Sequence, residues 1–352
     1  MKKEGLRLVT LIFAMLVLFG MTSCAENSGN DKGESSLDGV EGSEGSVSTD
    51  TTDDQGADNT DYVFSLLSDG TYGISSYTNT TEHEITIPEA YNGKAVTQIL
   101  SHAFKDADQL TSVIIPDSIT NIGIAAFSGC SSLENMTLPF VGDCKKDPTS
   151  EQQYPLGYIF GKTSYPGGAK TEQMFRLDRY HRSEIYYIPA SLKKVTVTDG
   201  IILNGAFFGC TMMEEIVLDD GVVAIKGGAF TLCENLTTVV IGEGVTEIEA
   251  EAFSHLDSLK NVTIGKNVRS IGNLAFAHCD ALETITIPYQ VRMIEAYAFR
   301  YCKNMKSIVF NNTSGWYRDG YGYPIRTQMT VTDPALNAIN LTDEYDDDTW
   351  KR

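Results

Sequence analysis

From Leu100 to Phe310 the apolar residues return in one fixed order. An Ala-Phe pair recurs with its phenylalanines at 104, 127, 207, 230, 253, 276 and 299, and every consecutive gap is 23 residues except 127 to 207. Each unit continues from the phenylalanine in the same way. In one, Phe276 is followed by Cys279, Leu282, Ile285 and Ile287; in the one before it, Phe253 is followed by Leu256, Leu259, Val262 and Ile264. A period of this length marks a repeat architecture, in which no unit buries its own apolar set and each packs on the next. Ile285 and Ile287 lie two apart, so they share one face of a short strand. The phenylalanine falls on the opposite side of the coil, and stacking the coils lays the strands into a parallel sheet. Pro116, Pro139 and Pro288 end strands, where a missing N–H is tolerated.

The long gap conceals one more unit. Tyr186 stands in the phenylalanine slot, followed by Leu192, Val195 and Val197 at the repeat spacing. From Phe127 to Tyr186 is 59 residues, so about 36 residues are inserted, within roughly 140–185. Eight coils result. Both ends need caps, because an open solenoid exposes core and strand edges. Alternation around Asp69-Gly70 predicts an N-terminal hairpin, and Asn92-Gly93 predicts a second tight turn feeding the first coil. Residues 311–352 leave the repeat and are rich in Trp and Tyr, which fits an irregular C-terminal cap.

The unit resembles that of the BspA-like leucine-rich-repeat family of bacterial surface proteins, over about residues 85–310. The expected fold is a leucine-rich-repeat solenoid of the α/β horseshoe class, strand-dominated, with its parallel sheet on the concave face. The resemblance implies a general role in cell-surface adhesion or recognition, and no cofactor.

The 352-residue chain opens differently. Lys2, Lys3 and Arg7 precede a fourteen-residue apolar run from Leu8 to Met21, short for a membrane span and suited to a signal segment. It closes on Met21-Thr22-Ser23-Cys24, which resembles the bacterial lipobox and implies acylation at Cys24. Residues 1–24 are read as a lipoprotein signal and 25–61 as an acidic Gly/Ser/Thr linker, leaving the N-cap and solenoid over 62–310. Half of the formal charge of −20 lies between Ala25 and Asp61, where eleven acidic residues face one lysine. That composition makes a solvated tether, and it argues against nucleic acid as a partner. The expected location is the outer side of the cell envelope.

Candidate chemistry is sparse. The outward strand positions pair Ser112 with Ile114, Asn135 with Thr137, Lys194 with Thr196, Glu215 with Val217, Thr238 with Val240, Asn261 with Thr263, Thr284 with Thr286 and Ser307 with Val309. No nucleophile, base and orienting acid converge there. Cys130, Cys210, Cys233, Cys279 and Cys302 each follow a phenylalanine by three residues and read as buried fillers, because a metal site wants convergent ligands. His255 and His278 share one slot in adjacent coils and read as a stacked column. The insertion mixes aromatics, glycines and arginines as binding loops do. Tyr158, Phe160, Tyr165 and Tyr180 are its candidate ligand contacts. The functional expectation is a tethered, non-catalytic binding protein for an extracellular protein or glycan; a structural component of the envelope is the alternative.

Overall fold

A computed structural model describes residues 61–145, 155–176, 182–320, 326–344 and 346–352. The signal segment with Cys24, the linker and Tyr180 lie outside the described residues.

Each coil has two short strands and a phenylalanine turn. The first strand carries the paired apolar residues, and these strands run parallel and in register from coil to coil. Val113 faces Met136, which faces Val195, then Ile216, Val239 and Val262, with Ile285 and Ile308 continuing the series. One further strand, Glu84–Thr86, precedes them and pairs with Ser112–Ile114. The second strand is two residues long in most coils. Its inward isoleucines, Ile225, Ile248, Ile271 and Ile294, form a second parallel ladder. Both sets of apolar side chains are buried, apart from the partly buried Val262.

On the third side the phenylalanines form a stack. Ring centroids are 4.8 Å apart for Phe207 and Phe230, 5.0 Å for Phe230 and Phe253, 5.3 Å for Phe253 and Phe276, and 5.6 Å for Phe276 and Phe299. Tyr77 of the N-terminal cap continues the stack beyond Phe104 at 5.1 Å. Backbone bonds tie the turns together: the N–H of Phe207, Phe230, Phe253 and Phe276 donates to the carbonyl of the alanine preceding the next phenylalanine. The thiols of Cys130, Cys233, Cys279 and Cys302 donate back to Phe104, Phe207, Phe253 and Phe276 at 3.1–3.3 Å. Each cysteine therefore satisfies a buried carbonyl as well as filling space. These cysteines and Cys210 are free thiols.

The expectation of an α/β horseshoe is corrected here. The fold is a largely β solenoid, whose α-helix among the described residues is the short Pro334–Ile339 in the C-terminal cap. The turns leave no room for a helix on the far side. The residues two before and two after each phenylalanine adopt the left-handed conformation, for example Glu251 (φ 60°) and His255 (φ 57°), Leu274 (57°) and His278 (59°), Tyr297 (62°) and Tyr301 (61°). A left-handed residue terminates a helix, and two of them four positions apart permit no more than one turn. Non-glycine residues hold this conformation because the inter-coil hydrogen bonds and the buried phenylalanine between them fix the backbone.

The caps are ordered. Tyr62–Leu66 and Tyr72–Tyr77 form the N-terminal hairpin, with Thr71 N–H and hydroxyl both held by the Asp69 carboxylate. Its loop is longer than the two-residue turn that Asp-Gly suggests; Asn92-Gly93, with φ of 47° and 73°, makes that turn between Ala90–Tyr91 and Lys94–Ile99. At the other end the cap expected to be irregular contains strands. Thr349–Lys351 pairs antiparallel with Met293–Ile294 and so covers the edge of the second ladder. Trp316 and Trp350 are buried against Phe310. Asn337 donates to Ile308 and Val331 carbonyls, docking the short helix on the last strand.

Candidate functional site

The insertion is joined to the solenoid through its core. Leu156–Ile159 forms a short 3-10 helix that enters the missing phenylalanine turn. Phe127 N–H donates to the Ile159 carbonyl at 2.8 Å, as Phe104 N–H donates to Ala126 in a regular pair of coils. Phe160 thus takes the phenylalanine register and is fully buried, with Tyr186 buried beside it. The single slot assigned to Tyr186 by spacing is filled by two aromatic residues. A hairpin of Gly168–Arg176 and Arg182–Pro189 follows.

Gln173, on the first strand of that hairpin, is fully buried and closes the junction. Its Oε1 accepts from Gly157 N–H at 2.6 Å. Its Nε2 donates to the carbonyls of Ala206 and Phe208 and to Cys210 Sγ, at 3.3–3.4 Å. In the regular coils such carbonyls accept from the preceding turn's backbone, so one carboxamide stands in for a missing stretch of main chain. Sequence reasoning missed Gln173; an isolated glutamine in a polar strand carries no signal of burial.

The three described insertion residues expected to touch a ligand therefore have different settings. Phe160 has no exposed surface. Tyr158 is half-buried, its carbonyl accepts from Ala125 N–H at 3.0 Å, and burial raises its phenol pKa. Tyr165 packs its ring on Gly168, and its buried hydroxyl has no hydrogen-bond partner among the described residues. Burial raises its pKa as well. The outward face of the hairpin is polar, with Lys170, Glu172 and Ser183 exposed beside Ile185.

The outward face of the first strands is the larger feature. It presents Thr86, Ile114, Thr137, Thr196, Val217, Val240, Thr263, Thr286 and Val309 in one column, all β-branched. Ile114 is 45% exposed. Lys194 and Glu215 in the neighbouring column pair at 2.8 Å, so the strip has little net charge. It contains no histidine or cysteine.

Titratable groups on the turn side are shifted chiefly by burial. The His255 imidazole is pulled down to about 4 by desolvation and secondarily by His278, whose own pKa is lowered by burial. Their rings stack at 4.3 Å, and Tyr301 follows at 4.7 Å. Glu251 is pushed up to about 7 by burial alone. Among the described residues no three His, Cys, Asp or Glu side chains come together as a metal site would require.

Glu251 gives a pH prediction. Its folded pKa exceeds the unfolded value of 4.5, so the folded state binds the extra proton between the two. The associated stability is present below about pH 4.5 and is lost as pH rises toward 7. Glu251→Gln removes that loss. Urea unfolding at pH 8 should find the variant roughly 2–3 kcal/mol more stable than the parent, with no gain at pH 4. Equal gains at both pH values would refute the assignment.

The BspA type leucine rich repeat region matches in six copies over residues 72–144 and 186–316, more than half of the chain. A leucine rich cell surface protein from Faecalibacterium prausnitzii is 27% identical over 78% of this chain and 60% of that one, with a TM-score of 0.39. This chain therefore spans 60% of that protein's crystallised length. The T. pallidum leucine-rich-repeat protein is 17% identical over 64% of this chain and 89% of that one, with a TM-score of 0.34. Pneumococcal vaccine antigen PcpA is 14% identical over 71% of this chain and 80% of that one, with a TM-score of 0.27. No curated protein sequence matches. The chain belongs to the BspA-type leucine-rich-repeat family.

Proposed function

We propose that this chain is a binding scaffold at the bacterial cell surface, held to the membrane through Cys24, that recognises an extracellular protein across the outward face of its first strands. It is a non-catalytic scaffold of its family, and the question is which surface it offers. The observation that carries the reading is the column of β-branched side chains from Thr86 to Val309, uncovered by any other described element and low in charge. A flat strand face of this kind lets a partner bury methyl groups without stripping water from ions. The salt bridges from Lys193 to Glu214, Lys194 to Glu215 and Lys306 to Glu283 link successive coils along its border and so help to hold the register that keeps the column straight. From the insertion, Tyr158 and Tyr165 are the described side chains proposed to add contacts, with Tyr180 as a third.

Anchoring through Cys24 rests on the apolar run and the lipobox-like tetrapeptide. A single acyl chain binds a membrane marginally, at about 0.8 kcal/mol per buried CH₂, whereas the two or three of a lipoprotein hold it durably. One experiment tests anchor and face together. Cells expressing the full chain are fractionated and then assayed for binding to immobilised extracellular-matrix and host-serum proteins. Cys24→Ala is expected to release the chain from membranes. Thr196→Arg with Val240→Arg is expected to leave it anchored and folded while abolishing attachment. Unchanged membrane retention would sink the anchor, and undiminished attachment by the double arginine variant would sink the strand face as the binding surface.

A further inference from the structure

In most coils the chain breaks at the corner between the first and second strands, where Pro116, Pro139, Gly242, Gly265 or Pro288 stands. Two successive coils do not break there. Lys194–Ile202 and Glu215–Ile225 run on through Asp199-Gly200 and Asp220-Gly221 as continuous strands, paired on both sides of the corner with register shifts at the bend. The next corner packs close on this one: a Cβ on Gly242 would collide with the Asp219 backbone, and one on Gly244 with the Asp220 carbonyl. Beside these corners lies an open cleft of about 570 Å³ lined by Asp117, Thr198, Leu218, Asp219, Asp220, Gly221, Val240 and Gly242. Val240 belongs to the β-branched column, so cleft and strand face are one continuous surface.

The carboxylates of this cleft have no basic partner among the described residues. Lys145 is engaged by Asp199 at 2.7 Å, and Lys266 by Glu243. Among the described residues Asp117 accepts the Thr198 hydroxyl, at 2.7 Å, and Asp220 the Glu243 N–H, at 2.7 Å. Asp219 is exposed. Among the described residues no lysine or arginine lines the cleft. Three carboxylates thus stand at the end of an otherwise nearly neutral strip, beside the apolar wall of Val240.

We infer that the cleft receives a lysine or arginine side chain from an extended basic segment of the protein partner, the rest of which lies over the β-branched column. The inference rests on the strand face being the binding surface and names the chemistry of what binds there. A long cationic side chain suits both halves of the cleft: its methylenes pack on Val240 and its head reaches the carboxylates. The strip alone would bind many flat apolar segments; the acidic end adds discrimination and orientation, as complementary charge does at interfaces.

The test uses the full-length chain and a fluorescein-labelled lysine decapeptide, followed by fluorescence anisotropy. Combining Asp117→Asn, Asp219→Asn and Asp220→Asn should weaken binding at least tenfold. Combining Asp108→Asn, Glu234→Gln and Asp257→Asn, which are exposed just after the phenylalanine turns and do not line the cleft, should change it less than twofold. Circular dichroism establishes that both variants fold, and both retain the acidic linker as a common background. Equal affinity of the parent and the triple variant, or an equal loss in the control, would overturn the inference. So would calcium chloride that binds with heat abolished by the same triple substitution while the decapeptide does not discriminate. If attachment still fails on Thr196→Arg with Val240→Arg, the strand-face reading survives such a result and only the basic partner is lost.

Discussion

Replacing Gln173 by leucine should destabilise the protein by about 3–5 kcal/mol, although the two side chains are similar in size. Leucine would fill the space and keep no hydrogen bond. Gly157 N–H would lose its acceptor and the Phe208 carbonyl its Nε2 donor, while Ala206 would keep the N–H of Leu156. A buried polar group left without a partner costs about 1–3 kcal/mol. Two such groups plus the lost donor to Ala206 give the range. Gln173→Glu should do no better, because it removes the donor and buries a charge. Denaturant unfolding measures the loss, and hydrogen exchange locates it. Amides of Leu156–Ile159 and Ala206–Phe208 should lose protection ahead of the C-terminal coils. A loss below 1 kcal/mol would mean that Gln173 does not join insertion to solenoid. The same argument predicts that excising the insertion whole unfolds the middle coils, since Leu156, Ile159 and Phe160 are core.

Phe253→Ala should cost a similar 3–5 kcal/mol. The ring lies between Phe230 and Phe276 and is fully buried, so alanine leaves a cavity open to both neighbours. Relaxation is limited, because left-handed residues at 251 and 255 fix the turn and inter-coil bonds pin its backbone. Phe253→Leu should lose much less, since it keeps most of the volume. Equal losses for the two substitutions would show that stacking geometry matters more than filled volume.

The repeat was legible because burial imposes it: every apolar residue that faces the interior recurs at its place in the 23-residue unit. The helices expected of a horseshoe were not excluded by the sequence. Glu251, Leu274 and Tyr297 are ordinary residues with no preference for the left-handed region, and only the neighbouring coils hold them there. Spacing also placed Tyr186 correctly in the core, but it could not tell that Phe160 would enter the same layer from the insertion. Aromatic density at 154–165 suggested a binding loop. Burial explains Phe160 fully and Tyr165 in large part, because an excursion of this length needs side chains to tie it down. The acidic cleft went unread for a different reason. Asp117 lies about a hundred residues from Asp219 and Asp220, and only the stacking of coils brings them to one place.

The account stands or falls on which surface a partner covers. Hydroxyl-radical footprinting of the full-length chain, free and bound to whichever protein the cells are found to attach to, reads that surface side chain by side chain. Protection is expected at Ile114, Val217 and Val240 along the column, with Tyr301 and the His255–His278 stack on the turn side as reactive as in the free protein. Protection concentrated on the turn side or on Leu336 and Ile339 of the C-terminal cap, with the column unchanged, would contradict it.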